Sequence, residues 1–112
     1  MYKLYGIPNC DTVKKAKTFL EDRGVDYEFI NFKKQSPTKK ELTKWKKFLG
    51  ELPVNKRGTT YRKLKEEFEA GSVADQADLL ISNSSAIKRP ILEKSDAVLE
   101  VGFNKEKWES LF

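Results

Sequence analysis

The chain has 112 residues, 38% of them apolar and 12% aromatic, which suits one compact domain with a modest core. The charged residues make up 35%, are mixed in sign and leave a formal charge of +5, so wholesale disorder is not expected. One cysteine and no histidine exclude an internal disulfide and any histidine-dependent triad, and they leave too few ligands for a zinc site.

No apolar run approaches the length of a membrane span, and Met1 leads straight into a strand-like segment rather than a signal peptide. The expectation is a cytoplasmic protein with no membrane partner, which suits a lone reduced thiol. Residues 2–5 read as a short strand bounded by Gly6 and Pro8. A helix follows over about residues 11–23, with Val13, Ala16 and Leu20 on one face and Phe19 beside them. Gly24 stops it at a left-handed position. "VDYEFI" alternates as a second strand, so a βαβ unit with parallel strands and a right-handed crossover is expected.

The middle of the chain is helical. Thr38 starts a helix striped by Leu42, Trp45 and Leu49, and Gly50 and Pro53 break it. Tyr61, Leu64 and Phe68 form another stripe ended by Gly71, and "DQADLLISN" makes a third candidate. Residues 37–83 are thus expected to form a helical insertion within a single domain spanning 1–112. The lysines of "KKQSPTKKELTKWKK" could serve an acidic partner, but without arginine they read as a solvated helix face. Nucleic acid is not an expected partner.

Strands return at "PILEK" and "AVLEVG", joined at hairpin spacing through Ser95 and Asp96. A last helix from about Asn104 is expected to bury Trp108, Leu111 and Phe112. The order β-α-β, helices, β-β-α makes an α/β fold with a mixed four-stranded sheet the economical arrangement.

Cys10 stands where the first strand gives way to the first helix. Unpaired amides and the helix dipole favour negative charge there, so a thiol in that place is activated without histidine. Lys14 and Lys15 could add a little, though screened. The competing reading is a small apolar filler, since free cysteine is often buried. Arg57 in "PVNKRGTTYRKL" and Arg89 just before Pro90 in "SAIKRPIL" are candidate anion binders, because guanidinium presents paired donors to carboxylates and oxyanions. Either could equally be an ordinary surface residue.

"GIPNCDTVKKAKTFLE", "VNKRGTTYRKL" and "IKRPILE", in this order and a chain of this size, resemble the arsenate reductase family (ArsC/Spx/YffB-like), most nearly its YffB-like branch. The resemblance covers nearly the whole chain. It implies a thioredoxin-like fold with a helical insertion, a catalytic cysteine at Cys10, oxyanion-binding arginines at Arg57 and Arg89, and a cis bond before Pro90. Two departures stand out. Arsenate reductases proper carry a third arginine after the last strand, where this chain reads "VGFNKEKW". Spx-type regulators use a Cys-x-x-Cys switch, whose second position here is Val13.

A lone thiol cannot complete a redox cycle within one chain, so an outside thiol must release the adduct. The expected enzyme is a glutathione-dependent thiol reductase acting on an oxidised thiol, with no bound cofactor, glutathione as co-substrate and glutaredoxin as a recycling partner. In that reading Cys10 is the nucleophile, and Arg57 and Arg89 hold anionic groups. Asn9 and Thr12 bond the sulfur or cap the helix, and Pro90 walls the site. The alternatives are arsenate reduction, with an oxyanion substrate, and a Spx-like regulator or adaptor that binds RNA polymerase. A monomer is expected at this size.

Overall fold

The computed structural model describes residues Met1–Phe112. Two compact units emerge, one made of Met1–Phe32 with Arg89–Phe112 and the other of Lys33–Lys88.

The first unit carries the sheet. Strand β1 (Tyr2–Gly6) is followed by α1 (Asp11–Asp22) and β2 (Tyr27–Asn31); β3 (Ile91–Lys94), β4 (Ala97–Val101) and α5 (Lys105–Leu111) complete the unit. The strand order is β2-β1-β3-β4, with β1 parallel to β2 and antiparallel to β3. This is a mixed α/β arrangement of the thioredoxin-like class. Helix α1 forms because Val13, Ala16, Phe19 and Leu20 repeat on one face, and that face is buried. It meets Leu4 and Leu92 from the sheet and Trp108 from α5 in one core cluster. Trp108 is fully buried and its indole donates to the Gly102 carbonyl at 3.1 Å.

Gly24 does take a left-handed conformation, with φ +67°. β2 starts two residues later than the alternation suggests, because the Val25 amide bonds back to the Leu20 carbonyl at 3.0 Å and holds that residue to the end of α1. Phe112 is not buried as expected: at 38% exposure it lies past the last helical residue, its ring against Tyr2 at 5.4 Å and Phe19 at 5.9 Å with the rest in solvent.

Two carboxylates go inside. Glu93 is fully buried and accepts from the Tyr5 hydroxyl at 3.3 Å. Glu100 is 5% exposed and pairs with Lys107 at 2.8 Å. The register shift between Leu92 and Glu93 interrupts simple in-out alternation, so neither position is legible from period alone.

The second unit is helical. It contains α2 (Lys39–Leu49), α3 (Thr59–Ala70), α4 (Val73–Ser82) and a 3-10 turn at Ser84–Ala86. Leu42, Trp45, Tyr61, Phe68, Ala77 and Leu80 are buried. Helix α2 starts at a capping box in which Thr38 and Glu41 satisfy each other's backbone amides, and it ends at a left-handed Gly50. Thr38→Ala is expected to cost about 1 kcal/mol, read as a lower denaturant midpoint at unchanged slope. Helix α4 starts earlier than "DQADLLISN" suggests, because Ser72 and Asp75 form a second capping box. The lysines of α2 have ion-pair partners in at least one case, Lys39 with Asp78 at 3.1 Å. No helix is long and apolar enough to cross a membrane.

Candidate functional site

Three backbone features place Cys10. β1 ends at Gly6, where an added Cβ would lie 2.7 Å from a methyl of Val13. Only glycine lets the strand end and the first turn of α1 come that close. The turn through Pro8 and Asn9 then delivers Cys10 as the N-cap residue of α1, in extended conformation (φ −106°, ψ 123°), with its carbonyl accepting from the Lys14 amide at 3.0 Å. Cys10 is half-buried, neither sealed in packing nor fully open.

The antiparallel register brings the second component. Tyr5 pairs with Ile91, so the residues entering β3 lie beside the residues leaving β1. Those are Arg89 and Pro90, joined by a cis peptide bond. The Gly102 amide bonds the Pro90 carbonyl at 2.7 Å, tying the entry of β3 to the exit of β4.

These neighbours set the ionisation of the sulfur. Partial burial alone would push the thiol pKa up. The Val13 amide, the charge of the Arg89 guanidinium, its hydrogen bond and the Thr12 amide together outweigh that, and the net shift is downward. The Cys10 side chain makes no side-chain cap hydrogen bond of the ordinary kind, while the Val13 and Thr12 amides favour its ionised form. The sulfur therefore occupies the place of a capping oxygen, with the amides at the second and third helical positions aimed at it.

The sequence candidates separate accordingly. Cys10, Thr12, Arg89 and Pro90 gather in the first unit, with Pro90 buried and Arg89 half-buried. Thr12 acts through its backbone amide rather than its hydroxyl. Asn9 is exposed and precedes the cap, since the cap position is Cys10 itself. The amide of Val13 is a participant that residue type could not reveal; its position, third in the helix, is the signal that finds it. Lys14 and Lys15 are exposed, and the charge that lowers the thiol pKa is that of Arg89. Arg57 lies in the second unit, exposed in the turn just before α3, whose N-cap is Gly58. No group of three or more cysteine and carboxylate side chains is arranged to hold a metal ion. The gathered set is a nucleophile with an adjacent fixed cation, suited to attack on an electrophilic sulfur or an oxyanion centre.

Comparison with known proteins adds the following. The family model described as "ArsC family" matches residues 5–111. An uncharacterised protein of Haemophilus influenzae is 34% identical, covering 100% of this chain and 99% of its own length. The global transcriptional regulator Spx of Streptococcus pyogenes is 27% identical over 96% of this chain and 81% of its own. Among solved structures, the YffB protein PA3664 is 35% identical with a TM-score of 0.85, covering 98% of this chain and 97% of its own. A possible arsenate reductase from Streptococcus mutans is 31% identical with a TM-score of 0.83, covering 100% of this chain and 98% of its own.

Proposed function

The chain belongs to the ArsC family, and from that premise we propose that it is a glutathione-dependent monothiol reductase with Cys10 as nucleophile. The observation that carries the reading is Cys10 at the N-cap of α1 with the Arg89 guanidinium beside it, its pKa lowered. A thiolate is the attacking form, and this site favours it without a histidine base.

The chemistry closes with two thiols. The Cys10 thiolate attacks the glutathione sulfur of a mixed disulfide and releases the substrate as its thiolate, which takes a proton from water. The Cys10–glutathione disulfide remains. A second glutathione thiolate attacks its glutathione sulfur, regenerates the Cys10 thiolate and leaves glutathione disulfide; glutaredoxin can stand in at this step. The net exchange reduces the substrate sulfur to a thiol and oxidises one free glutathione, which leaves joined to the glutathione of the mixed disulfide. Arg89 holds the charge on Cys10 before attack and again as it leaves. The family resemblance also assigns an anion-binding role to Arg57, in the second unit. The chain works as a cytoplasmic monomer in this reading.

Arsenate reduction is the second reading, and the likeness to the possible arsenate reductase of Streptococcus mutans favours it. The absence of arginine in "VGFNKEKW" counts against it. Intact-mass analysis after exposure to glutathione disulfide tests the leading reading. One glutathione is expected on the wild type, none on Cys10→Ser, and excess glutathione removes it. A wild type that takes up no glutathione overturns the reading, and turnover of arsenate but not of mixed disulfides replaces it with the second. A thiol that reacts with neither, in a protein that binds RNA polymerase, favours a regulator of the Spx kind.

A further inference from the structure

A groove of about 390 Å³ runs along the outer side of α1 in the first unit. Its floor is Phe19 and Phe103, whose rings meet edge-on at 5.8 Å. Lys14 and Lys15 flank it from the first turns of α1, Lys105 faces them from the start of α5, and Thr18 lies between. Asp22 is the single carboxylate, at the far end of the helix. Three ammonium groups against one carboxylate make the walls cationic over an apolar floor. None of these residues takes part in holding the Cys10 thiolate.

Position gives the groove a use. Lys14 and Lys15 follow the Cys10 cap by little more than one helical turn, about 6–8 Å along the axis. An extended chain advances about 3.3 Å per residue, so a peptide with its sulfur at Cys10 that follows α1 brings its next two to five residues to this channel. We infer that the groove binds an acidic segment, with an aliphatic side chain among its carboxylates, next to the reactive sulfur of a protein substrate. The inference rests on the reductase reading for the identity of that substrate.

The chemistry of the walls favours a peptide over other anions. Lysines on flexible stems form a diffuse positive field rather than the fixed fork that seizes a single phosphate. Both rings are already engaged within the protein, which disfavours nucleobase stacking: the Arg23 guanidinium lies 4.3 Å over Phe19, and Trp108 and Phe103 meet in a T-shaped pair at 4.9 Å. The apolar aromatic floor suits an aliphatic side chain, and the lysines suit carboxylates.

The test uses the full chain carrying Cys10→Ser and a fluorescein-labelled, sulfur-free peptide, Glu-Asp-Leu-Ser-Glu-Glu, with its amide analogue Gln-Asn-Leu-Ser-Gln-Gln. Anisotropy titration is expected to show at least about tenfold tighter binding of the acidic peptide at low salt, weakening as salt rises. Lys15→Glu with Lys105→Glu is expected to lose that preference, and Asp22→Asn to strengthen it, a gain that misfolding cannot produce. Equal binding of the two peptides, indifference to both sets of variants, or tighter binding of a thymidine oligonucleotide overturns the inference. Glutathionylated cysteine versions of the same peptides are then offered to the wild type. Binding without turnover contradicts the reductase reading alone, and turnover with no acidic preference contradicts the groove alone.

Discussion

Cys10→Ser is expected to lower turnover of glutathione mixed disulfides by at least about a thousandfold, the scale on which an enzyme loses its nucleophile. A serine hydroxyl at this place stays protonated and does not exchange with a disulfide. The substitution also separates chemistry from folding. Cys10 is the N-cap of α1, and serine is among the preferred cap residues, with an oxygen able to accept from the amides that face the sulfur. The variant should therefore unfold at the same denaturant concentration as the wild type or higher. A coupled assay following oxidised glutathione, alongside a denaturant melt, reads both quantities. Retained turnover would remove Cys10 from the reaction.

Arg89→Ala carries the second large effect. It takes away both the charge and the hydrogen bond that hold the Cys10 thiolate, while partial burial of the sulfur stays. The thiol pKa rises, and the rate at neutral pH is expected to fall about ten- to a hundredfold, the worth of one charge-assisted hydrogen bond. Arg89→Lys should recover part of the rate, since a point charge returns without the planar fork. Thiolate ultraviolet absorbance against pH checks the cause. An Arg89→Ala curve superimposed on the wild type would remove Arg89 from the site.

The same shift has a signed consequence for stability. The folded pKa lies below the unfolded one, so the ionised sulfur contributes stability in full above the ordinary thiol pKa. That contribution is lost as pH falls through the lowered value, where folded and unfolded chains both carry the thiol.

Much of the framework is legible from short-range chemistry. Thr38 with Glu41, Gly24 and Gly50 mark helix ends through capping and left-handed geometry, which depend on a few neighbouring residues. The parallel pairing of β1 with β2 follows from a helix between two strands with short joins. Glu93 and Glu100 defeat the same logic. Their burial depends on partners far along the chain or on a register shift, and alternation reads them as surface.

The site divides in the same way. That Cys10 meets helix amides is legible, because the Gly6–Pro8 turn and the apolar period of α1 fix where the helix begins. That Arg89 stands at its sulfur depends on the β1–β3 register, 79 residues on in the chain, and only the family resemblance pointed to it. The finer roles rest on backbone geometry that residue type does not carry: Thr12 bonds the sulfur through its amide, and the cap position is held by Cys10, one residue after Asn9.

The pH dependence of Cys10 alkylation by iodoacetamide in the wild-type protein tests the central claim most directly. The rate should follow a single ionisation whose midpoint lies below that of the same cysteine in the unfolded chain, leaving the sulfur more reactive at neutral pH than a free cysteine. A midpoint at or above that value would contradict the account, because the Val13 and Thr12 amides and the Arg89 guanidinium would then not be holding a thiolate.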